Sequence, residues 1–147
     1  FKKYKNTQLV ACKKKMLNQY SIFNERNFPN IKKISFLKLL FKNYIPTSSV
    51  LMKSDLKERF LNKYHAEDYY LWLSILKKKN ECYLINDFLC EEIRFENRIK
   101  LSNDNNKIYK AVQNVLNKFY SDNLINNLLV SFAKLYYYFK MIVKIII

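Results

Sequence analysis

The spacing of apolar residues changes character several times along this chain, and each change predicts an element. Residues 9–12 (Leu-Val-Ala-Cys) form a short unbroken apolar run, the pattern of a buried strand. Residues 13–33 are polar, rich in Asn and Lys, and predict an irregular excursion. Ser35 is placed to cap a short helix over residues 36–42, where Leu37, Leu40 and Phe41 stand at helical spacing. Pro46 then forces an extended backbone and breaks any helix, and Val50–Met52 reads as the end of a strand. Asp55 with Glu58 three residues on resembles a capping box, predicting a short helix through Phe60. A second helix is predicted from near Glu67. Its Tyr69, Trp72, Leu73 and Leu76 follow the i, i+3, i+4, i+7 rule, and Lys77, Lys78 and Lys79 sit in its last turn. Residues 82–85 and 88–95 predict two strands around a turn at Asn86-Asp87.

From about Asp104 the pattern is helical to the end. The last helix carries one long apolar stripe: Ile125, Leu128, Leu129, Phe132, Leu135, Tyr136, Phe139, Ile142, Val143 and Ile146. Asn126, Ser131 and Lys134 mark its polar side. The order of strands and helices is that of an α/β fold with a helical C-terminal extension. No internal repeat occurs, and no linker splits the chain in two.

Composition narrows the chemistry. Half of the 147 residues are apolar and 16% are aromatic, enough for a real core. There is no glycine, where average usage of about 7% would supply roughly ten, so a Gly-rich phosphate loop of the Walker or dinucleotide kind is excluded here. The net charge of +15 is uneven: +10 over residues 1–45, zero over residues 46–99, and +5 over residues 100–147. The basic flanks suit an anionic membrane, phosphorylated substrates or nucleic acid; equally, a Lys- and Asn-rich chain carries such charge simply on solvated faces. Cys12, Cys82 and Cys90 are odd in number and include no Cys-x-x-Cys, so neither a zinc nor a disulfide framework is expected. Reduced core thiols in a cytosolic setting are expected instead. The Lys-rich start lacks the apolar segment of a signal peptide.

The candidate chemistry is Glu67-Asp68, two acids in the first turn of a predicted helix. Taken alone, such a pair is commonly structural, because carboxylates are stabilised at helix N-termini. The surrounding residues widen the reading. Asn43-Tyr-Ile-Pro-Thr-Ser-Ser-Val-Leu-Met, then Ala66-Glu-Asp-Tyr-Tyr-Leu-Trp-Leu, then Ile93-Arg-Phe and Leu101-Ser-Asn occur in one order. Together they resemble the latter half of family 2 glycosyltransferases. In that family an Asn-x-Ile-x-x-Ser-Ser-Val stretch precedes a Glu-Asp-Tyr-x-Leu-Trp-Leu helix, followed by a Tyr-Arg pair and a Leu-Ser loop. The resemblance covers residues 5–110 or so and leaves out the last helix.

What the resemblance implies is the C-terminal half of a GT-A (Rossmann-like) glycosyltransferase domain. Residues 1–103 would be its acceptor side, and residues 104–147 a helical extension. The activity implied is inverting transfer of a sugar from a nucleotide-sugar donor to a saccharide or lipid-linked acceptor, in surface polysaccharide synthesis. Asp68 corresponds to the family's catalytic base, a role that suits a carboxylate within reach of an acceptor hydroxyl. Glu67 would shape the pocket. Ser48 and Ser49 match the family's Ser-Ser, near donor phosphates or acceptor, or else form a turn that satisfies its own backbone. Arg94 would contact phosphate, or pair with an acid among Glu67, Glu91 and Glu92. Trp72 reads as core, and His65 as a surface residue.

Departures from the pattern leave the acceptor open. Tyr70 stands where the family usually has Asp, Ser74 where Arg follows Leu-Trp-Leu, and Arg59 where Gly precedes the Phe. No Asp-x-Asp is present, so the ligands of the family's divalent cation (Mg²⁺ or Mn²⁺) are expected in a nucleotide-binding half preceding Phe1. The chain is accordingly expected to be a fragment, inactive by itself. The last helix, with Lys134, Lys140 and Lys144 beside its stripe, would make peripheral contact with a membrane or pack against the missing half. That places the protein in the cytoplasm, at the inner face of the cell membrane. The alternative reading is a non-catalytic basic module for an anionic membrane or nucleic acid. Nucleic acid is not the expected partner, since Lys far outnumbers Arg and no nucleic-acid-binding motif occurs.

Overall fold

The computed structural model describes residues 6–17, 30–61, 66–78, 80–93, 104–120 and 123–146. Their element order is β1 (Thr7–Leu17), β2 (Ile31–Lys33), α1 (Phe36–Phe41), a 3-10 turn at Thr47–Ser49, β3 (Val50–Met52), α2 (Glu67–Lys77), β4 (Glu81–Ile93), α3 (Asn105–Asn117) and α4 (Leu124–Ile146). This is a mixed α/β architecture. The chain folds into two compact units that interleave along the sequence: Phe1–Ser35, Tyr44–Lys57 and Ile75–Arg98 in one, and Phe36–Asn43, Glu58–Ser74 and Ile99–Ile147 in the other.

The first unit is built on a four-stranded mixed sheet in the order β2-β4-β1-β3. Strands β1 and β4 run parallel; β3 and β2 flank them antiparallel. Leu9, Ala11, Cys12 and Cys82 are buried, as parallel central strands require. The strand predicted at residues 9–12 is therefore present but longer. It continues through Lys13, Lys14 and Lys15, because β4 offers a pairing partner along its whole length, with Lys15 in register with Glu91. Ile31–Lys33 likewise forms a strand where an excursion was expected, and residues 18–29 lie outside the described residues.

The predicted turn at Asn86-Asp87 is not a turn. Cys12 pairs with Ile85 and Lys13 with Phe88, so both residues stand as a bulge inside one 13-residue strand. The physical reason is the neighbour on each side. β1 holds β4 parallel beyond the bulge, and the Asn86 N–H donates to the Asn30 carbonyl at 2.8 Å, which gives that group a partner inside the bulge. The helix predicted from Asp55 through Phe60 is also absent. Residues 54–61 hold a turn and irregular backbone. Between Leu56, which is buried, and Phe60, which is exposed, lie Lys57, Glu58 and Arg59, which supply no apolar helical face, and a single turn does not repay its nucleation cost.

The second unit is helical and aromatic. Leu39 and Leu40 bury α1, and α3 packs on α4 through Ala111, Val112, Val115 and Leu116 against Val130 and Ala133. Phe119 stacks obliquely on both Phe36 (6.1 Å) and Tyr70 (5.7 Å), which joins α1, α2 and the end of α3. Asp104 caps α3 by accepting the Lys107 N–H at 3.0 Å, and Asn123 caps α4 by accepting from Ile125. The last helix has the predicted periodicity. Asn126 and Lys134, on the predicted polar side, make hydrogen bonds to the preceding segment: Asn126 Nδ2 donates to the Phe119 carbonyl at 2.7 Å, and Lys134 Nζ to Asn117 Oδ1 at 2.9 Å. The apolar stripe points away from α3, with Ile125, Leu128, Phe132, Leu135, Phe139 and Val143 all exposed.

Candidate functional site

Asp68 occupies the first turn of α2, where backbone N–H groups have no partner inside the helix. Its Oδ1 accepts the Tyr69 N–H at 2.6 Å, and the side chain is half-buried, while Glu67 beside it is exposed. The helix that carries the pair is firmly seated. Tyr69, Leu71, Trp72, Leu73, Ile75 and Leu76 are all buried, so Trp72 is core, as the sequence pattern predicts. Phe60 meets the Trp72 ring edge-on at 6.2 Å. Trp72 Nε1 has no hydrogen-bond partner among the described residues.

Tyr69 is the residue that ties this turn to its surroundings; the sequence pattern placed it on the apolar stripe of the helix but did not foresee the role of its hydroxyl. Its hydroxyl donates to the Leu40 carbonyl at 2.7 Å, and its ring lies 6.4 Å from Tyr137. Leu40 is in the last turn of α1, where carbonyls lack in-helix donors, so Tyr69 serves as a side-chain cap. Burial holds the Tyr69 phenol far above its usual range, with Tyr137 adding to the effect, and it remains a donor throughout the accessible pH range. Tyr70, where the resemblance led to an expectation of Asp, puts its ring on Phe119.

Ser48 and Ser49 lie in the sheet unit, on the 3-10 turn between an extended Pro46 and β3. Ser48 is exposed. Ser49 is buried, and its hydroxyl lies 2.8 Å from the Cys12 carbonyl on β1 and 2.9 Å from that of Pro46, sharing one proton between them. That bond pins the turn to the sheet. Next to it, Cys12 Sγ stands 3.2 Å from Cys90 Sγ across β1 and β4, and burial, with Cys90 adding to it, raises the Cys12 thiol. All three cysteines are free. Arg94, His65 and the Leu101-Ser-Asn stretch lie outside the described residues, as does the end of the strand predicted to Phe95.

Among the described residues, no group of three or more His, Cys, Asp or Glu stands close enough to hold a metal ion. One cleft not foreseen from the sequence lies between α3 and α4, lined by Asn105, Tyr109, Tyr137, Lys140 and Lys144 among others.

Comparison with known proteins supplies one relative. The chain is 32% identical over 133 residues to UDP-Glc:alpha-D-GlcNAc-diphosphoundecaprenol beta-1,3-glucosyltransferase WfgD of Escherichia coli, an alignment that covers 87% of this chain. It spans 49%, about half, of that enzyme's length. No protein-family model matches the chain. No solved structure matches it. The similarity is to a glycosyltransferase, and it extends well beyond the short motifs from which sugar transfer was expected.

Proposed function

We propose that this chain is the acceptor-side part of an inverting glycosyltransferase of family 2, with a GT-A fold. Residues 1–103 form the transferase portion and residues 104–147 its helical extension. The observation that carries the reading is the likeness to a sugar transferase along 87% of the chain. The relative's name gives UDP-glucose as donor and a diphosphoundecaprenol-linked acceptor; for this chain the proposal extends to a nucleotide-sugar donor and a saccharide or lipid-linked acceptor, in polysaccharide synthesis. A lipid-linked acceptor puts the reaction at the inner face of the cell membrane.

In this reading Asp68 is the base. The acceptor hydroxyl attacks the anomeric carbon, its proton passes to the Asp68 carboxylate, and the bond to the donor phosphate breaks, the nucleoside diphosphate leaving with the electron pair. One displacement inverts the anomeric centre. A half-buried carboxylate on a rigidly seated helix suits the task, since proton transfer demands fixed geometry. Glu67, Ser48 and Arg94 are the proposed substrate contacts, together with Ser49, whose proton is already engaged and whose oxygen would act as acceptor. A divalent cation, Mg²⁺ or Mn²⁺, would neutralise the donor diphosphate; among the described residues no cluster of acids stands ready to hold it.

The test is Asp68→Asn in the full-length protein. Sugar transfer should fall by at least about a hundredfold, the lower end of what a general base contributes, while donor binding persists. Turnover unchanged in that variant would remove Asp68 from the mechanism.

A further inference from the structure

A soluble helix normally turns its apolar stripe toward its neighbours. α4 does the opposite. It meets α3 through Val130 and Ala133, which are buried, through the Lys134 carbonyl accepting from Gln113 Nε2 at 3.1 Å, and through Tyr138 against the Tyr109 ring, while Asn126 bonds the Phe119 carbonyl. Its large side chains face outward over several turns, with Ile125 69%, Phe132 60% and Phe139 57% exposed, and Leu128, Leu135 and Val143 on the same side. A patch of that extent marks a surface that meets something.

Charge selects the occupant. From residue 123 to residue 147 the chain has three lysines and no Asp or Glu. Lys140 feels both Lys144 and Lys42 of the α1 end; desolvation first, and then those two cations, make its ammonium easier to deprotonate than usual. Lys140 Nζ sits 5.7 Å over the Tyr137 ring, at the margin of the stripe. A second copy of this helix would bring the same lysines and no carboxylate to meet them. An anionic surface relieves the crowding. Half-exposed Tyr136, on the stripe, and Tyr138, beside it, carry the amphipathic rings favoured at a lipid–water boundary. No described helix is long and apolar enough to cross a membrane, which leaves lying on one.

We propose that α4 docks in the plane of an anionic lipid surface. The stripe around Phe132 and Phe139 enters the acyl boundary, and Lys140 and Lys144, with Lys42, meet the lipid phosphates. Lys140 and Lys144 also line the cleft between α3 and α4, beside Tyr109. This surface needs no sugar donor, so it stands or falls independently of the transferase reading.

Flotation of the full-length protein with vesicles tests it. Vesicles of one part phosphatidylglycerol to two parts phosphatidylcholine should carry the protein, and pure phosphatidylcholine should carry far less. Lys140→Gln with Lys144→Gln should lower partitioning about fivefold per lysine. The paired change Phe132→Ser and Phe139→Ser, at exposed positions outside the buried Val130 and Ala133 contact, should remove the binding that survives high salt, with helicity by circular dichroism unchanged. Equal binding to both vesicle types would overturn the proposal. So would an equal loss when Lys13 and Lys14 are changed to Gln instead. A dimer in solution that the Phe132→Ser and Phe139→Ser pair dissolves would identify a second copy as the occupant and refute lipid docking.

Discussion

Replacing Tyr69 by Phe deletes one oxygen atom. The ring stays, with its burial and its approach to Tyr137. What is lost is chiefly the 2.7 Å donation to the Leu40 carbonyl, together with the hydroxyl's interaction with Tyr137. Leu40 lies near the end of α1, a helix of six residues whose final carbonyls cannot all be met within it; Lys42 closes back on Lys38 and Leu39 only. The carbonyl is therefore left buried and short of a donor, a change that costs about 1–3 kcal/mol, whereas removing both partners together would cost far less. For a domain of this size each kcal/mol lowers the melting temperature by roughly 2–4 °C. The assay is urea unfolding followed by tryptophan fluorescence. Trp72 is the only tryptophan in the chain, is buried, and belongs to the same compact unit as Tyr69. A loss smaller than about 0.5 kcal/mol, the lower bound for an ordinary hydrogen bond, would refute the assignment of Tyr69 as the cap that joins α2 to α1.

Other perturbations read other parts of the molecule. Ser49→Ala should cost about 1–2 kcal/mol in the same urea assay, because the Cys12 carbonyl loses a buried donor; an unchanged midpoint would show that the turn is held otherwise. Trp72→Ala should cost about 3–5 kcal/mol, and Trp72→Phe much less, since the indole N–H has no described partner to lose; circular dichroism melting separates the two. Alkaline pH should destabilise the fold through Cys82. Burial pushes its thiol up to about 12 from 9.0, so the unfolded chain releases that proton first and stability falls as pH rises between those values, by at most about 1.4 kcal/mol per pH unit. Cys82→Ala should flatten this slope, and an identical slope in the variant would show that the thiol contributes nothing.

Where an element depends on its own residues, the sequence alone determined it. Pro46 imposes an extended backbone whatever surrounds it, and the φ of −73° and ψ of 122° agree. Glu67-Asp68 opens α2, and the acids at that helix start were legible because orphan N–H groups and the helix dipole favour carboxylates locally. The α4 periodicity needed nothing but its spacing, and Trp72 on the α2 stripe was legible as core in the same way. Only the tertiary structure decided what depends on a partner distant in sequence. Lys13, Lys14 and Lys15 become strand, and Asn86-Asp87 a bulge and not a turn, because β1 and β4 lie side by side across some seventy residues of chain. Tyr69 became a cap because α1 ends beside it, a juxtaposition no local pattern encodes. The direction of the α4 stripe was settled in the same way. Periodicity states that a helix has an apolar side; it does not say which side a neighbour will take. Here α3 takes the side with Val130, Ala133 and Asn126, where small and hydrogen-bonding groups allow close approach, and the large apolar side chains are left facing outward.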